Sequence, residues 1–125
     1  MTGKRICAFA LSTAFTIIAS VPPAAAAPFD GSWNMALVTT SGHCGVIKIG
    51  MAVNGQVSAT SGRFVMHNIS LAGLISGSGA TTIKGVAGPR VAKGVGHFTR
   101  SKGIGKWNGT GPSGVCSGIW TAVRS

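Results

Sequence analysis

The sequence predicts a single small all-β domain of about eight antiparallel strands, either an up-and-down barrel or a strongly curled meander. Three observations carry that expectation. Nineteen of the twenty glycines lie beyond residue 26, scattered between short stretches of Val, Ile, Thr and aromatic residues. Those stretches alternate with a period of two, as strands with one buried face do. Each glycine inside a helix costs about 1 kcal/mol, so no window beyond residue 26 is long enough and free enough of glycine to sustain one.

The first 26 residues have a different character. Lys4 and Arg5 precede an uncharged apolar stretch from Ile6 to Ser20, then Val21-Pro22-Pro23 and the small residues Ala24 to Ala27. This is the pattern of a cleavable secretion signal, with the cut expected after Ala26. The apolar stretch is shorter than the roughly 20 residues a spanning helix needs, so no transmembrane span is expected after processing. Residues 27–125 then form the domain.

The strands follow in order. Ser32 to Thr39 places Trp33, Met35 and Leu37 on one face and Asn34 on the other; Val46 to Val53 does the same with Ile47, Ile49, Met51 and Val53, while Lys48 points away. Asn54-Gly55 between them and Gln56 to Thr60 reads as a type I′ hairpin, in which both central residues take positive φ. Ser61-Gly62 turns the chain into Arg63 to Ser70, expected as a strand with both faces partly covered. Leu71 to Ile75, Ala80 to Val86 and Val91 to Thr99 come next, separated by Ser76-Gly77-Ser78-Gly79 and Ala87-Gly88-Pro89-Arg90. Ile104 to Thr110 carries Trp107 between Gly105 and Gly109, where glycine leaves room for an indole. The last strand, Val115 to Val123, puts Cys116, Gly118, Trp120 and Ala122 on one face. Trp33, Trp107 and Trp120 are the candidate barrel core.

Cys7 leaves with the signal, so Cys44 and Cys116 remain as an even pair in an oxidising compartment and are expected to form a disulfide. Closing so long a loop is worth roughly 4 kcal/mol in the chain-entropy model. Cys44 follows the first strand and Cys116 opens the last, so the bond is expected to bring the two ends of the sheet together.

Composition excludes much chemistry. The chain has no glutamate and no tyrosine, and Asp30 is its only acid. Paired-carboxylate hydrolysis is excluded on that ground. A serine triad would have to recruit Asp30 with one of His43, His67 or His97, and no nucleophile-elbow pattern is present. The histidine spacing matches no metal-site pattern either, so the chain reads as non-enzymatic, with no cofactor and no metal.

Once Lys4 and Arg5 are removed, nine of the eleven basic residues face that single acid, a net charge near +8. Six of them, Lys84, Arg90, Lys93, Arg100, Lys102 and Lys106, are the candidate anion-contacting residues and are expected to share one end of the sheet. Such a balance attracts anionic lipid, lipopolysaccharide or acidic polysaccharide. Nucleic acid is disfavoured by the secretion signal and by the lack of aromatics interleaved with the cations.

Three Gly-x-Trp units, Gly31-Ser32-Trp33, Gly105-Lys106-Trp107 and Gly118-Ile119-Trp120, together with Phe29-Asp30-Gly31-Ser32-Trp33 and Cys116-Ser117-Gly118-Ile119-Trp120-Thr121-Ala122, give a family resemblance. The domain resembles small secreted glycine-rich proteins of rhizobial and related alphaproteobacteria. The resemblance implies export and no particular activity. Gly31-Ser32-Trp33 is also similar to the Gly-x-Trp of lipocalin and avidin-like barrels, which implies a Trp at the closed end of a barrel.

Two functions are expected from these readings. The leading one is a periplasmic or extracellular binding module whose basic surface meets an anionic envelope component. The alternative is a carrier holding a small apolar ligand among Phe64, Met66, Leu74, Phe98 and the tryptophans, which needs a pocket of roughly 300 Å³ or more.

Overall fold

A computed structural model describes residues 28–125; the expected secretion signal and its expected cut lie outside the described residues. Ten strands follow one another: β1 (Gly31–Ser41), β2 (Val46–Val53), β3 (Gln56–Ser61), β4 (Arg63–Phe64), β5 (His67–Asn68), β6 (Ser70–Ile75), β7 (Ala80–Ala87), β8 (Arg90–Phe98), β9 (Lys102–Gly111) and β10 (Gly114–Arg124). Eight of them close into an antiparallel barrel in the order β1-β10-β9-β8-β7-β6-β3-β2, and β4 and β5 form a separate hairpin inserted between β3 and β6. Up-and-down closure removes the free sheet edges that a curled meander would leave.

Alternation decides which side faces in. Trp33, Met35 and Leu37 of β1, Ile47, Ile49, Met51 and Val53 of β2, and Cys116, Trp120 and Ala122 of β10 are buried. Outward positions carry Asn34, Lys48, Lys84, Lys93, Lys106 and Asn108. The barrel is therefore apolar inside, while its outer face mixes these polar residues with exposed Val95, Ile104, Ile119 and Val123. Among the described residues no helix is long and apolar enough to cross a membrane.

Closure is made by the sheet itself. β1 pairs with β10 from Trp33 opposite Arg124 to Thr39 opposite Gly118, with a bulge between Thr39 and Ser41. The disulfide Cys44–Cys116, whose Cα atoms are 6.2 Å apart, is present as expected. It ties the β1–β2 loop to the start of β10 at one rim, beyond the paired strands, so it braces a closure that backbone hydrogen bonds already make.

The two ends of the barrel differ. At one end Phe98 packs edge-on against Trp33, with centroids 5.0 Å apart, and tilts against Trp120 at 5.5 Å and Phe29 at 6.3 Å. Trp33 donates its indole N–H to the Phe29 carbonyl at 2.9 Å. This end is closed, with the Gly-x-Trp tryptophan at its base. Trp120 finds its room across the sheet: it stands opposite Gly105. A Cβ on Gly96 or Gly105 would come within 2.5 Å of its indole. Gly105 thus makes space for Trp120 on the next strand more than for Trp107 on its own.

Two turns depart from expectation. Val53 pairs with Val57, leaving Asn54, Gly55 and Gln56 in the turn, and of these only Gly55 has positive φ. The turn is one residue longer than a type I′ turn. Arg63 to Ser70 is not one strand: Phe64 pairs with His67 across a turn at Val65 (φ 47°) and Met66 (φ 68°). Two positive φ values in a two-residue hairpin loop are the type I′ geometry. It occurs here at two apolar residues, one of them β-branched, where it costs about 1 kcal/mol or more.

Candidate functional site

The opposite end of the barrel is open because one seam is short. β3 and β6 share only the pairs Gln56–Leu74 and Val57–Gly73, both near the closed end. Above them the strands diverge, and the β4–β5 hairpin fills the gap. Ile69 donates its N–H to the Gly62 carbonyl at 3.0 Å, which closes the base of the hairpin. Phe64 and Ile69 turn inward and pack on the core, while Met66 at the tip is 85% exposed and Val65 is 49% exposed.

Beneath the hairpin lies an apolar cavity of about 100 Å³, lined by Leu37, Ile47, Phe64, Leu71, Ile83 and Trp107 among others, with Arg90 at its mouth. The Arg90 guanidinium sits over the Phe64 ring, 5.6 Å from its centroid. The composition of the expected ligand site is corrected here. Phe64, Trp107 and Trp120 do line the cavity. Leu74 and Met66 point outward, and Phe98 and Trp33 are spent on plugging the closed end. An eight-stranded barrel is just wide enough for side chains to fill, and three tryptophans with Phe98 fill most of this one.

The six candidate anion-contacting residues do not share one end. Arg100 and Lys102 lie at the β8–β9 turn of the closed end, and Arg90 is on the open rim. Lys84 and Lys93 stand directly opposite each other on β7 and β8, three residues below the turn that joins them. Lys106 pairs with Val95 on the same outer face, one diagonal step from Lys93. The reason is the turn: two residues, Gly88 and Pro89, separate the pair Ala87–Arg90, and counting back from it sets Lys84 against Lys93. The tight Ala87-Gly88-Pro89-Arg90 turn was the signal from which that pairing could have been read.

The remaining polar groups of interest are accounted for locally. Asp30, the only acid, accepts a hydrogen bond from the Gly55 backbone N–H at 3.2 Å at the closed end. His43 and His67 belong to the open end and His97 to the lower outer wall. All three are exposed. Among the described residues no three His, Cys, Asp or Glu side chains converge as a metal site.

Two residues that composition and periodicity passed over have specific roles. Arg63 donates from Nη2 to the Met66 carbonyl at 2.9 Å and holds the strained tip. Arg124 crosses the closed end, 4.5 Å from the Trp33 ring centroid. Both were countable only as charge until the fold placed them.

Neither family models nor characterised proteins provide a match for this chain. Function therefore has to be read from the site.

Proposed function

We propose that the protein is a non-enzymatic binding module that meets an anionic component of the cell envelope through the cations of β7, β8 and the open rim. The observation that carries this reading is the register pair Lys84–Lys93. Like charges directly opposite across a sheet destabilise it. Here neither lysine has a carboxylate to offset that cost, because the chain's only acid, Asp30, is at the other end. An arrangement that opposes folding and concentrates positive potential is suited to an anionic partner. The outer wall carries no exposed Phe, Trp or Tyr among the described residues, so it offers a poor stacking platform for nucleic-acid bases. The disulfide fits an oxidising compartment, where such an envelope component would be met.

The test is binding to vesicles of phosphatidylcholine containing phosphatidylglycerol, and to lipopolysaccharide, over a range of salt. Affinity should fall steeply as salt rises, and the double variant Lys84→Gln/Lys93→Gln should bind about 30-fold more weakly, at about 1 kcal/mol per cation. Arg100→Gln/Lys102→Gln, at the closed end, should change it far less. Binding that is the same at low and high salt would sink the idea.

The cavity favours a second reading, a carrier, but limits its cargo. A cavity of about 150 Å³ holds one benzene, so about 100 Å³ holds less than that and falls well short of the roughly 300 Å³ a drug-sized ligand needs. Native mass spectrometry of protein recovered from its own cells would show such a cargo directly.

A further inference from the structure

We propose that the Val65–Met66 tip of the β4–β5 hairpin is a membrane-contact finger: both side chains enter the headgroup boundary of an anionic bilayer while Arg63, Arg90, Lys84 and Lys93 hold its phosphates. The inference rests on the binding reading above and names its partner as a lipid surface, with the open end of the barrel facing it.

The first warrant is the tip itself. A two-residue turn with two positive φ values is normally filled by Asn-Gly, which adopts it without strain. This turn is filled by Val65 and Met66, with Val65 at φ 47°. Neither side chain gains core packing in return, since Met66 is 85% and Val65 49% exposed. The conformation is nevertheless fastened, by the Arg63 hydrogen bond to the Met66 carbonyl and by pairing of Phe64 with His67. The turn itself lets Phe64 and Ile69 pack on the core, but filling it with two exposed apolar residues adds strain that gains nothing inside the molecule and points to a use outside it.

The second warrant is charge complementarity around the tip. The hairpin leans on the β7–β8 turn: a Cβ on Gly88 would sit 2.5 Å from the His67 ring. Arg90, immediately after that turn, lies over Phe64 of the hairpin. Lys84 and Lys93 flank the same turn three residues down each strand, about 10 Å at the usual rise. Two apolar side chains at the apex with four cations behind them, and the only acidic side chain at the opposite end, form the pattern by which peripheral proteins insert into anionic lipid. A neutral protein surface would gain nothing from the cations, and a polyanion without an apolar layer would gain nothing from the tip.

The experiment uses protein purified from cells expressing the full chain and labelled at its methionine methyl groups. It is mixed with vesicles of phosphatidylcholine and phosphatidylglycerol that carry a spin label on the lipid acyl chain. The Met66 methyl signal should broaden, and those of Met35 and Met51 inside the barrel should not. The variant Val65→Asn/Met66→Gly keeps the turn in residues that favour it, so it should fold at least as well, yet bind the vesicles about tenfold more weakly with the same salt dependence. Salt-sensitive binding with an unbroadened Met66 signal and an unaffected double variant would overturn the finger and leave the basic surface standing. Absence of vesicle binding in the unaltered protein, with retained binding to soluble lipopolysaccharide sugar, would also overturn the finger alone. A Met66 signal that broadens with protein concentration before any lipid is added would overturn it in favour of tip-to-tip pairing of two copies.

Discussion

Arg124 and Trp33 meet across the closed end of the barrel, the guanidinium 4.5 Å from the indole centroid and the two residues directly opposite in the β1–β10 ladder. From that position Arg124 donates to the carbonyls of Arg100 at 2.8 Å, Asp30 at 2.6 Å and Pro28 at 2.7 Å. One side chain thus joins the segment before β1, the β8–β9 turn and the last strand. Arg124→Ala should cost about 2 kcal/mol, combining an exposed cation–π contact with charge-assisted hydrogen bonds weakened by solvent. For a domain of this size that lowers Tm by about 8–16 °C, measured by thermal unfolding. Arg124→Lys should recover only a minor part, because an ammonium cannot reach three carbonyls in a fixed fork.

The barrel's glycines divide by what their missing Cβ would meet. At Gly96 it would come 2.5 Å from Trp120 and crowd the Gly105 backbone, whereas at Gly77 in the β6–β7 turn it meets nothing within 4 Å. Gly96→Ala should therefore destabilise by about 1–3 kcal/mol through overpacking against a ring that is 2% exposed and cannot move aside. Gly77→Ala should be neutral or stabilising by up to about 1 kcal/mol, because it narrows the unfolded ensemble at no steric cost. Paired denaturant titrations would decide it, and equal effects at the two positions would contradict the packing described for Trp120.

Local alternation made much of this fold legible. β2 runs from Val46 to Val53 as read, because Ile47, Ile49, Met51 and Val53 form an unbroken inward series. The disulfide was legible from the even cysteine pair, and the closed-end place of Trp33 from the resemblance of Gly31-Ser32-Trp33 to other barrels, while alternation left a barrel and a curled meander both open. The site was harder to see. Val65-Met66 looks like strand by composition, and only the tertiary need to fill the gap between β3 and β6 bends it into a turn. Lys84 and Lys93 read as two of six cations sharing one end of the sheet until the Gly88-Pro89 turn fixes their register as a directly opposed pair. Arg124 has no local pattern at all, since its partners are brought to it by barrel closure.

Because β1 and β10 pair directly, the disulfide is expected to matter for stability and not for topology. Cys44 and Cys116 are 72 residues apart, a loop whose constraint is worth about 4 kcal/mol in the chain-entropy model. Cys44→Ser/Cys116→Ser should lose an amount of that order in denaturant unfolding, while retaining the far-ultraviolet spectrum of the barrel. Amide exchange should quicken in the β1–β2 loop at the open end and stay slow along the Trp33–Arg124 end of the ladder. A variant that loses protection evenly along β1 and β10 would show instead that the bond is what holds the barrel shut.

Thr39 offers a test in the opposite direction. Its hydroxyl oxygen is buried on β1 near the bulge and has no hydrogen-bond partner among the described residues. A buried polar group without a partner forfeits its hydration and receives nothing in exchange, which costs about 1–3 kcal/mol. Thr39→Val replaces the hydroxyl by a methyl of similar size, keeps the β-branched shape that suits the strand, and removes the orphaned oxygen. The variant should be more stable by about 1 kcal/mol, the low end of that range, because Thr39 is only partly buried. Thermal and denaturant unfolding should agree on the sign. A loss of stability would mean that the hydroxyl is engaged in solution, by a bound water or by a ligand entering the open end, and comparing Thr39→Val with Thr39→Ser would separate a lost hydrogen bond from altered packing.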